Sequence, residues 1–416
     1  MYIGLIGSPL QSIGEGLGEG LTHEIELWEN KEKGEKKVIK MGIESSLVEH
    51  FSDLPDPRMV NKCDHLLVDI VMIAICATIA NADGWEDIAS FAEGKKIWLK
   101  QWLSLPNGIP SHDTFKRVFE NIDADIFQQC FMGWVQSVFS RTEGQVIAID
   151  GKRVRGTCDK SGKATLHVVS AWATANQLTL GQVKVAEKAN EIVAIPDLLE
   201  LLMLKNCIVT LDAIGCQKEI VKQIRTKEAD YIVTVKANHP KLHQHVRAAF
   251  ATADATGFSH FSPDYCETTD TQHGRTEKRQ CWVLTDLEAQ RLGWQDCQTL
   301  VRIQRTTQRG NGPVSEETHY YISSLQPLAS LILASIRAHW GIENGCHWVL
   351  DVVFNEDASR TRTRNADANL ALLRKIALNL IRQHPAKGSL KGKRYRSALN
   401  EDFLLEVMQS SFNLMR

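Results

Sequence analysis

Two aspartates hold equivalent places in this sequence: each is the first charge after a short apolar run, VIAI before Asp150 and IVTL before Asp212. A buried strand ending this way delivers its carboxylate to the carboxyl edge of a sheet, where open α/β folds bind ligands. One such aspartate is commonplace and often only caps the following turn. Two on neighbouring strands converge with no compensating base nearby in sequence, and like charges at that range repel strongly. A divalent cation relieves them most economically. A third group comes from the apolar helical pattern over 328–350, where His339, Glu343, His347 and Asp351 recur at steps of four. Groups so spaced share one helix face, and a polar line on a helix of Leu, Ile, Trp and Val is costly to bury unpaired. Either Glu343 reaches a metal, or the four bond to one another and to the adjacent loop. A zinc hydrolase using His339, Glu343 and His347 fits poorly, because the spacing is not H-E-x-x-H and both aspartates stay unused.

Cations near these groups suggest an anionic partner. Lys152, Arg153 and Arg155 directly follow the first aspartate, where they either hold phosphates or decorate an exposed turn. The motif HGRTEKR supplies His273, Arg275, Lys278 and Arg279, a DNA contact or a solvated hairpin. Between Arg360 and Arg396 stand eleven cations, Arg394 and Arg396 among them, against the single acid Asp367. A tail this biased is expected to track a phosphate backbone.

The elements that must position these residues change character along the chain. Residues 45–140 read as helices, with 66–80 an apolar core helix and LPDPR (54–58) a turn. In IPSHDTFKRVFENI, Ser111 is placed to cap a helix whose apolar face is Phe115, Val118 and Phe119. Lys116 and Arg117 fall on its other side, which either enters a DNA groove or is a solvated face. From 145 the pattern is of strands: QVIAID (145–150), then TLHVVSAWA (165–173) and LTLGQVKVA (178–186) as an antiparallel pair joined around Ala175-Asn176. A helix begins near Pro196, and CIVTLD (207–212), a helix over 214–228 and the strand YIVTV (231–235) follow. Strands lacking clean alternation suit the middle of an α/β/α layer. Residues 240–325, with QCWVLT, QTLVRIQRT and EETHYYISS, predict an inserted β-rich subdomain. Past it, apolar positions 370, 373, 376, 377, 380 and 381 form a helical stripe.

With 416 residues the chain exceeds one ordinary core, and its 43% hydrophobic and 24% charged content is that of a soluble globular protein. A net charge of −2 leaves any nucleic-acid affinity to local clusters. Ten cysteines without a C-x-x-C pair argue for reduced thiols in a cytoplasmic protein, against a disulfide framework or zinc ribbon. The apolar run 66–80 is too short to span a bilayer and carries Asp69, so no membrane is expected as partner. Residues 1–40, Gly-rich and then charged, read as a flexible leader before a compact start near Met41.

The motifs AIDGKRVRG, LDAIGCQ, VKANHP, HGRTEKR and HWGIENGCHWVLDVVFNED, in that order over roughly residues 45–385, closely resemble the H-repeat-associated transposases of bacterial insertion sequences. That resemblance implies a DDE enzyme with an RNase H-like catalytic core over 145–385: an α/β fold with a mixed sheet flanked by helices and a β-rich insertion at about 240–325. It also implies a helical N-terminal domain over 41–140, and the charge count adds a basic tail at 386–416 beyond the core. By the resemblance the triad is Asp150, Asp212 and Glu343, holding two Mg²⁺ ions for which Mn²⁺ can substitute. The implied partner is double-stranded DNA, as element terminal repeats and target, with a homodimer assembled on it. One departure is plain. The wider superfamily surrounds its glutamate with Tyr, Arg and Lys at fixed spacing, whereas Ile336, His339 and Leu350 occupy those places here. The tyrosine, arginine and lysine roles therefore do not transfer, and His339 is the candidate replacement as a phosphate contact. Residues 1–40 have no counterpart in the family, which places the expected natural start at Met41.

Overall fold

The computed structural model describes residues 46–59, 63–138, 144–158, 164–186, 190–259, 263–272, 274–286 and 288–409. The expected leader, the start at Met41 and His273 lie outside them. The described chain opens with helices α1 (Ser46–Ser52), α2 (Leu67–Ile79), α3 (Trp85–Gly94), α4 (Lys96–Leu99), α5 (His112–Asn121) and α6 (Ala124–Val138). Every residue of α2 except Val68 is buried, as befits a helix apolar on all sides. Its one charge, Asp69, accepts the Leu105 N–H at 2.9 Å. No described helix is long and apolar enough to cross a membrane. α5 begins where its sequence says, with the Ser111 hydroxyl accepting the Thr114 N–H; Phe115, Val118 and Phe119 are buried and Lys116 and Arg117 exposed.

Nine strands then form one sheet: β1 (Val146–Cys158), β2 (Ala164–Ala173), β3 (Leu178–Lys184), β4 (Ile208–Leu211), β5 (Asp230–Val235), β6 (Asp264–Gln272), β7 (Arg275–Thr285), β8 (Thr299–Arg309) and β9 (Ser315–Ser323). Their order is β3-β2-β1-β4-β5-β9-β8-β7-β6. β1, β2 and β3 are antiparallel, β4 and β5 run parallel to β1, and β9 returns antiparallel to β5. This is the RNase H-like mixed sheet that the resemblance implies, with one difference. The segment expected as an inserted subdomain extends the same sheet, because β9 hydrogen-bonds directly to β5. α9 (Pro240–Ala255) leads into that extension.

Helices cover both faces. α7 (Glu191–Leu201) and α8 (Lys218–Thr226) join β3, β4 and β5. On the opposite face α11 (Ala329–His339) lays Ile332, Leu333 and Ile336 over Ile208, Ile232, Val301 and Tyr321; the short α10 (Glu288–Arg291) lies between β7 and β8. The long helix predicted from 328 breaks after α11 into a π-helical turn, Glu343–His347, and α12 (Trp348–Val353). α13 (Ala366–Gln383) follows and packs Ala368 and Ala371 on Val154 and Val168. One continuous buried cluster joins the N-terminal helices, α13 and the sheet.

The expected basic tail is largely folded structure: α14 (Leu390–Leu399) and α15 (Glu401–Gln409) close the described chain. Arg394 is 1% exposed, donates to the carbonyls of Val353 and Thr78, and lies 4.1 Å over the Phe354 ring. Lys393 donates to the carbonyls of Ile381 and His384. Arg374 and Lys375 are buried as well. These cations satisfy interior acceptors, so they cannot meet solvent phosphates; Arg396 and Lys391 stay exposed.

Lys152 is likewise an interior residue. It is shared by Asp351 and by Glu356, 2.6 Å away, whose side chain is fully buried. Lys375 and Arg374 add positive potential around Glu356 and, with Lys152, hold its carboxyl below the usual range despite burial. Removing one partner of such a cluster strands buried charge. Glu356→Ala is expected to lose about 3–5 kcal/mol in urea unfolding, while Lys391→Ala on the exposed side of α14 should stay within about 0.5 kcal/mol. A Glu356→Ala loss no larger than that of Lys391→Ala would remove the internal cluster from the account of stability.

Candidate active site

β1 and β4 run parallel with Ile149 opposite Leu211, so Asp150 and Asp212 are the next residues in register where the pairing stops. Asp150 is not a strand end, as the sequence suggested. β1 continues to Cys158 along β2, and only its β4 side opens at Asp150. β4 ends because Asp212 turns the chain: its Oδ1 accepts the N–H groups of Ile214 at 2.9 Å and Gly215 at 3.1 Å. Asp212 thus does cap its turn, with one oxygen. Glu343 arrives from the opposite side as the first residue of the π turn. A cavity of about 230 Å³ is lined by Asp150, Asp212 and Glu343 together with Lys236, His339 and Trp340.

The electrostatics are those of crowded acids. Burial, then the charge of Asp212, with further contributions from Glu191 and Glu343, pushes the Asp150 carboxyl up to about 7. Asp212 is raised too, by burial above all, with Lys236 pulling the other way. Glu191 was not legible as a neighbour in the sequence. It approaches because residue 151 is glycine: a Cβ there would sit 2.2 Å from the Glu191 carboxyl carbon. Glu191 is itself held by His167 at 2.7 Å. Lys236 was missed as well, although it follows the buried strand β5 just as Asp212 follows β4. The same reading applied to VKANHP would have found it.

Neither histidine supplies a compensating charge. His347 Nδ1 lies 3.5 Å from Asp150 Oδ2, but burial, helped by Lys152 and Lys375, pushes its pKa down to about 3. His339 meets the Thr210 hydroxyl at 2.9 Å, and burial takes it down to about 4. As a neutral ring it can meet a phosphate oxygen through an N–H but brings no positive charge in place of an arginine.

The other expected DNA contacts lie elsewhere. Lys152 and Arg394 are interior, as described. Arg153 is exposed, pointing away from Lys152 by the alternation of β1. Arg275 pairs with Glu277 at 2.9 Å, and Arg279 with Asp270 and Glu277 at 2.7 and 2.6 Å. Arg396 stacks 4.0 Å from the Phe403 ring, on the surface.

A donor set of carboxylates, the most buried of them lifted toward neutrality with no cation upon it, fits a hard divalent ion. Among the described residues, however, no group of three or more His, Cys, Asp or Glu side chains stands close enough together to hold a metal ion.

Comparison with known families decides the lineage. Residues 48–135 match the model described as DDE_Tnp_1-associated, and residues 141–380 match the Transposase DDE domain. The chain belongs to the DDE transposase family. It is 42% identical over 378 residues to "Putative transposase YncI" of Escherichia coli O157:H7, covering 89% of this chain and 96% of that one. With "H repeat-associated putative transposase YhhI" of Escherichia coli (strain K12) it shares 37% identity, over 88% of this chain and 98% of the relative. A shorter relative from the same strain, "Inactive transposase YbfQ", is 50% identical over 72 residues, which is 17% of this chain and 86% of that one. Members of this family generally use divalent metal ions.

The raised carboxyl has a measurable consequence in this transposase-family chain. Asp150 takes up a proton more readily folded than unfolded, so its ionisation opposes folding as pH rises from about 4, the unfolded value, to about 7. Without divalent ions, Asp150→Asn should therefore unfold at higher temperature than the parent at pH 8, by up to about 4 kcal/mol in stability, and the gap should close by about pH 4. Adding Mg²⁺ at pH 8 should raise the melting temperature of the parent but not of the variant. A constant gap between the two chains from pH 4 to 8 would contradict this account of Asp150.

Proposed function

We propose that this chain is a transposase that cuts and joins DNA strands at insertion-sequence ends, by two-metal phosphoryl transfer in the cavity of Asp150, Asp212 and Glu343. The observation that carries this reading is the meeting of those three carboxylates on one cavity, with Asp150 lifted to about 7 and both adjacent histidines neutral. Asp150, Asp212 and Glu343 would hold two Mg²⁺ ions, with Mn²⁺ able to replace them. What the ions supply is Lewis-acid chemistry at phosphorus: an activated water or DNA 3′-hydroxyl, and relief of charge on the leaving oxygen.

The chain's own residues do the rest. Asp150 and Asp212 are fixed by β1 and by the turn after β4, so their oxygens need little rearrangement. His347, neutral and beside Asp150, orients that carboxylate without neutralising it. Lys236, exposed at the rim, is placed to meet a phosphate oxygen. Double-stranded DNA is the partner, first as the element's terminal repeats and then as target, with a homodimer assembled upon it in the bacterial cytoplasm. Lys116 and Arg117 on the open face of α5, with Arg153, Arg275, Arg279 and Arg396, are the surface cations assigned to it.

A second reading, a DNA-binding protein that no longer cuts, is favoured by one observation: a relative sharing 50% identity over 72 residues is named inactive. Nicking separates the two. With Mg²⁺ and DNA carrying the element's ends, the parent chain should nick, and Asp150→Asn, Asp212→Asn and Glu343→Gln should each lose orders of magnitude in rate at saturating protein. Combining them should add little, because the three act as one site. Binding to the ends should survive in all three variants, whereas Lys116→Ala should weaken it with the carboxylates intact. A parent chain that binds but never nicks would leave the second reading standing; near-parental cutting by Asp150→Asn would sink the first.

A further inference from the structure

The carboxylate cavity does not end at Trp340. His319, Tyr321, Ile336 and Trp340 line both it and a second hollow of about 330 Å³. That hollow shares Arg275, Glu277, Arg279 and Arg337 with a third, of about 510 Å³, which reaches Arg309. The three form one trough that leaves the carboxylates and runs across the outer half of the sheet.

Its floor is built by register. Arg275 lies opposite Arg309, and Arg279 opposite Arg305, across β7 and β8, so all four present to one face. That is the face α11 covers lower down through Cys281, Val301 and Ile303, and α11 adds Arg337 from its last turn. The arginines share too few acids. Glu277, nearly buried, serves Arg275 and Arg279 and lies 3.8 Å from Arg305, while Asp270 serves Arg279 and Arg337, each within 2.7 Å. Glu317 takes Arg305. Arg309 is exposed, and its side chain has no ion-pair partner among the described residues. Five guanidiniums against three carboxylates leave an excess of two positive charges in a chain whose net charge is −2. A plain cross-strand ladder would match its charges one to one. Carboxylates instead hold four of the five guanidiniums in place with donors to spare, which is how arginine is presented to phosphate.

We propose that this trough is a track for the phosphate backbone of a DNA duplex, leading to the carboxylate cavity, with Arg305, Arg309 and Arg337 as phosphate contacts, Glu317 and Glu277 positioning Arg305 and Asp270 positioning Arg337. It rests on the DNA-cutting reading above for its direction, and the sequence pointed only to Arg275 and Arg279. Contacts of this kind carry no sequence information, so the track serves any duplex.

The test is binding of the full chain to a fluorescein-labelled duplex of arbitrary sequence, by anisotropy across a salt series without divalent ions. The triple variant Arg305→Gln, Arg309→Gln, Arg337→Gln should lower the slope of log K against log salt by about 0.9 for each phosphate no longer neutralised, and weaken binding by roughly tenfold or more at fixed salt. Lys222→Gln, Lys241→Gln, Arg247→Gln removes as much charge from α8 and α9, outside the trough, and should leave the slope unchanged. A parental slope in the first variant, or an equal drop in the second, overturns the track. Should the triple variant not fold, Arg309→Gln alone, exposed and unpaired, should still shift the slope by about 0.9. Because no cutting is measured, the result stands apart from the carboxylates: an inactive Asp150→Asn with a parental slope in the triple variant keeps the first reading and removes this one.

Discussion

The ammonium of Lys152, two residues past Asp150 on the same face of β1, is shared by Asp351 and Glu356, and both it and Glu356 are buried. An unpaired charge there would cost several kcal/mol, so the three groups must stay together. Lys152 belongs to β1, Asp351 to α12 and Glu356 to the turn beyond it. The contact therefore pins the helical segment that begins with Glu343 against the strand that carries Asp150. It has a second effect. The lysine two residues from Asp150 is consumed, and its charge is answered before it can reach that carboxylate. Were it free, it would weaken the negative field of the cavity.

The π turn at Glu343–His347 works in the same direction. Residues four apart on an α-helix drift by about 40° at each step, so a stripe from His339 to Asp351 would wander by about 120° and leave the sheet. A π turn closes its hydrogen bonds to the fifth residue instead of the fourth and winds the stripe back. His339 accordingly meets Thr210, His347 meets Asp150 and Asp351 meets Lys152, all on one side. Burial keeps both rings neutral. The charge of the cavity is thus set by carboxylates and by Lys236 at its rim, with the histidines serving as packing that can hydrogen-bond.

What was legible in the sequence follows from range. A buried strand followed by a carboxylate is a local signal, so Asp150 and Asp212 stood out, as did the hairpin of β2 and β3 and the cap at Ser111. The run of β1 past Asp150 was hidden because GKRVRG places a lysine at an inward position, and an interior lysine reads as surface to any hydrophobic pattern. The late basic stretch misled for the same reason. Counting charge cannot separate Arg394, sealed under Phe354, from Arg396 on the surface two residues on. Glu191 and His347 were out of reach in another sense: their contacts with residues 151 and 150 depend on how distant elements pack, and Gly151 is meaningful only once Glu191 is beside it. The strands of 264–323 were visible as strands, but their membership of the same sheet as β1 and β4 rests on the pairing of β9 with β5, which no short-range pattern encodes.

That pairing also explains why an acidic strand borders an arginine-rich one. Antiparallel addition of β9 covers the edge of β5, and the meander through β8 and β7 moves the exposed edge out to β6. An uncovered edge invites pairing with other chains unless charge discourages it. β6 carries Asp264, Glu267 and Asp270, and little of it is buried. Asp270 faces inward along the sheet, where it receives Arg279 and Arg337. One carboxylate therefore meets two demands that the extension itself creates. It adds charge to the new edge strand, and it steadies two guanidiniums, Arg279 of β7 and Arg337 of α11, that would otherwise repel one another. Replacing it with an apolar residue would leave Arg337 without its acid, leave Arg279 to Glu277 alone and take a charge from the edge strand, which is why the acid belongs to the extension as much as to the trough.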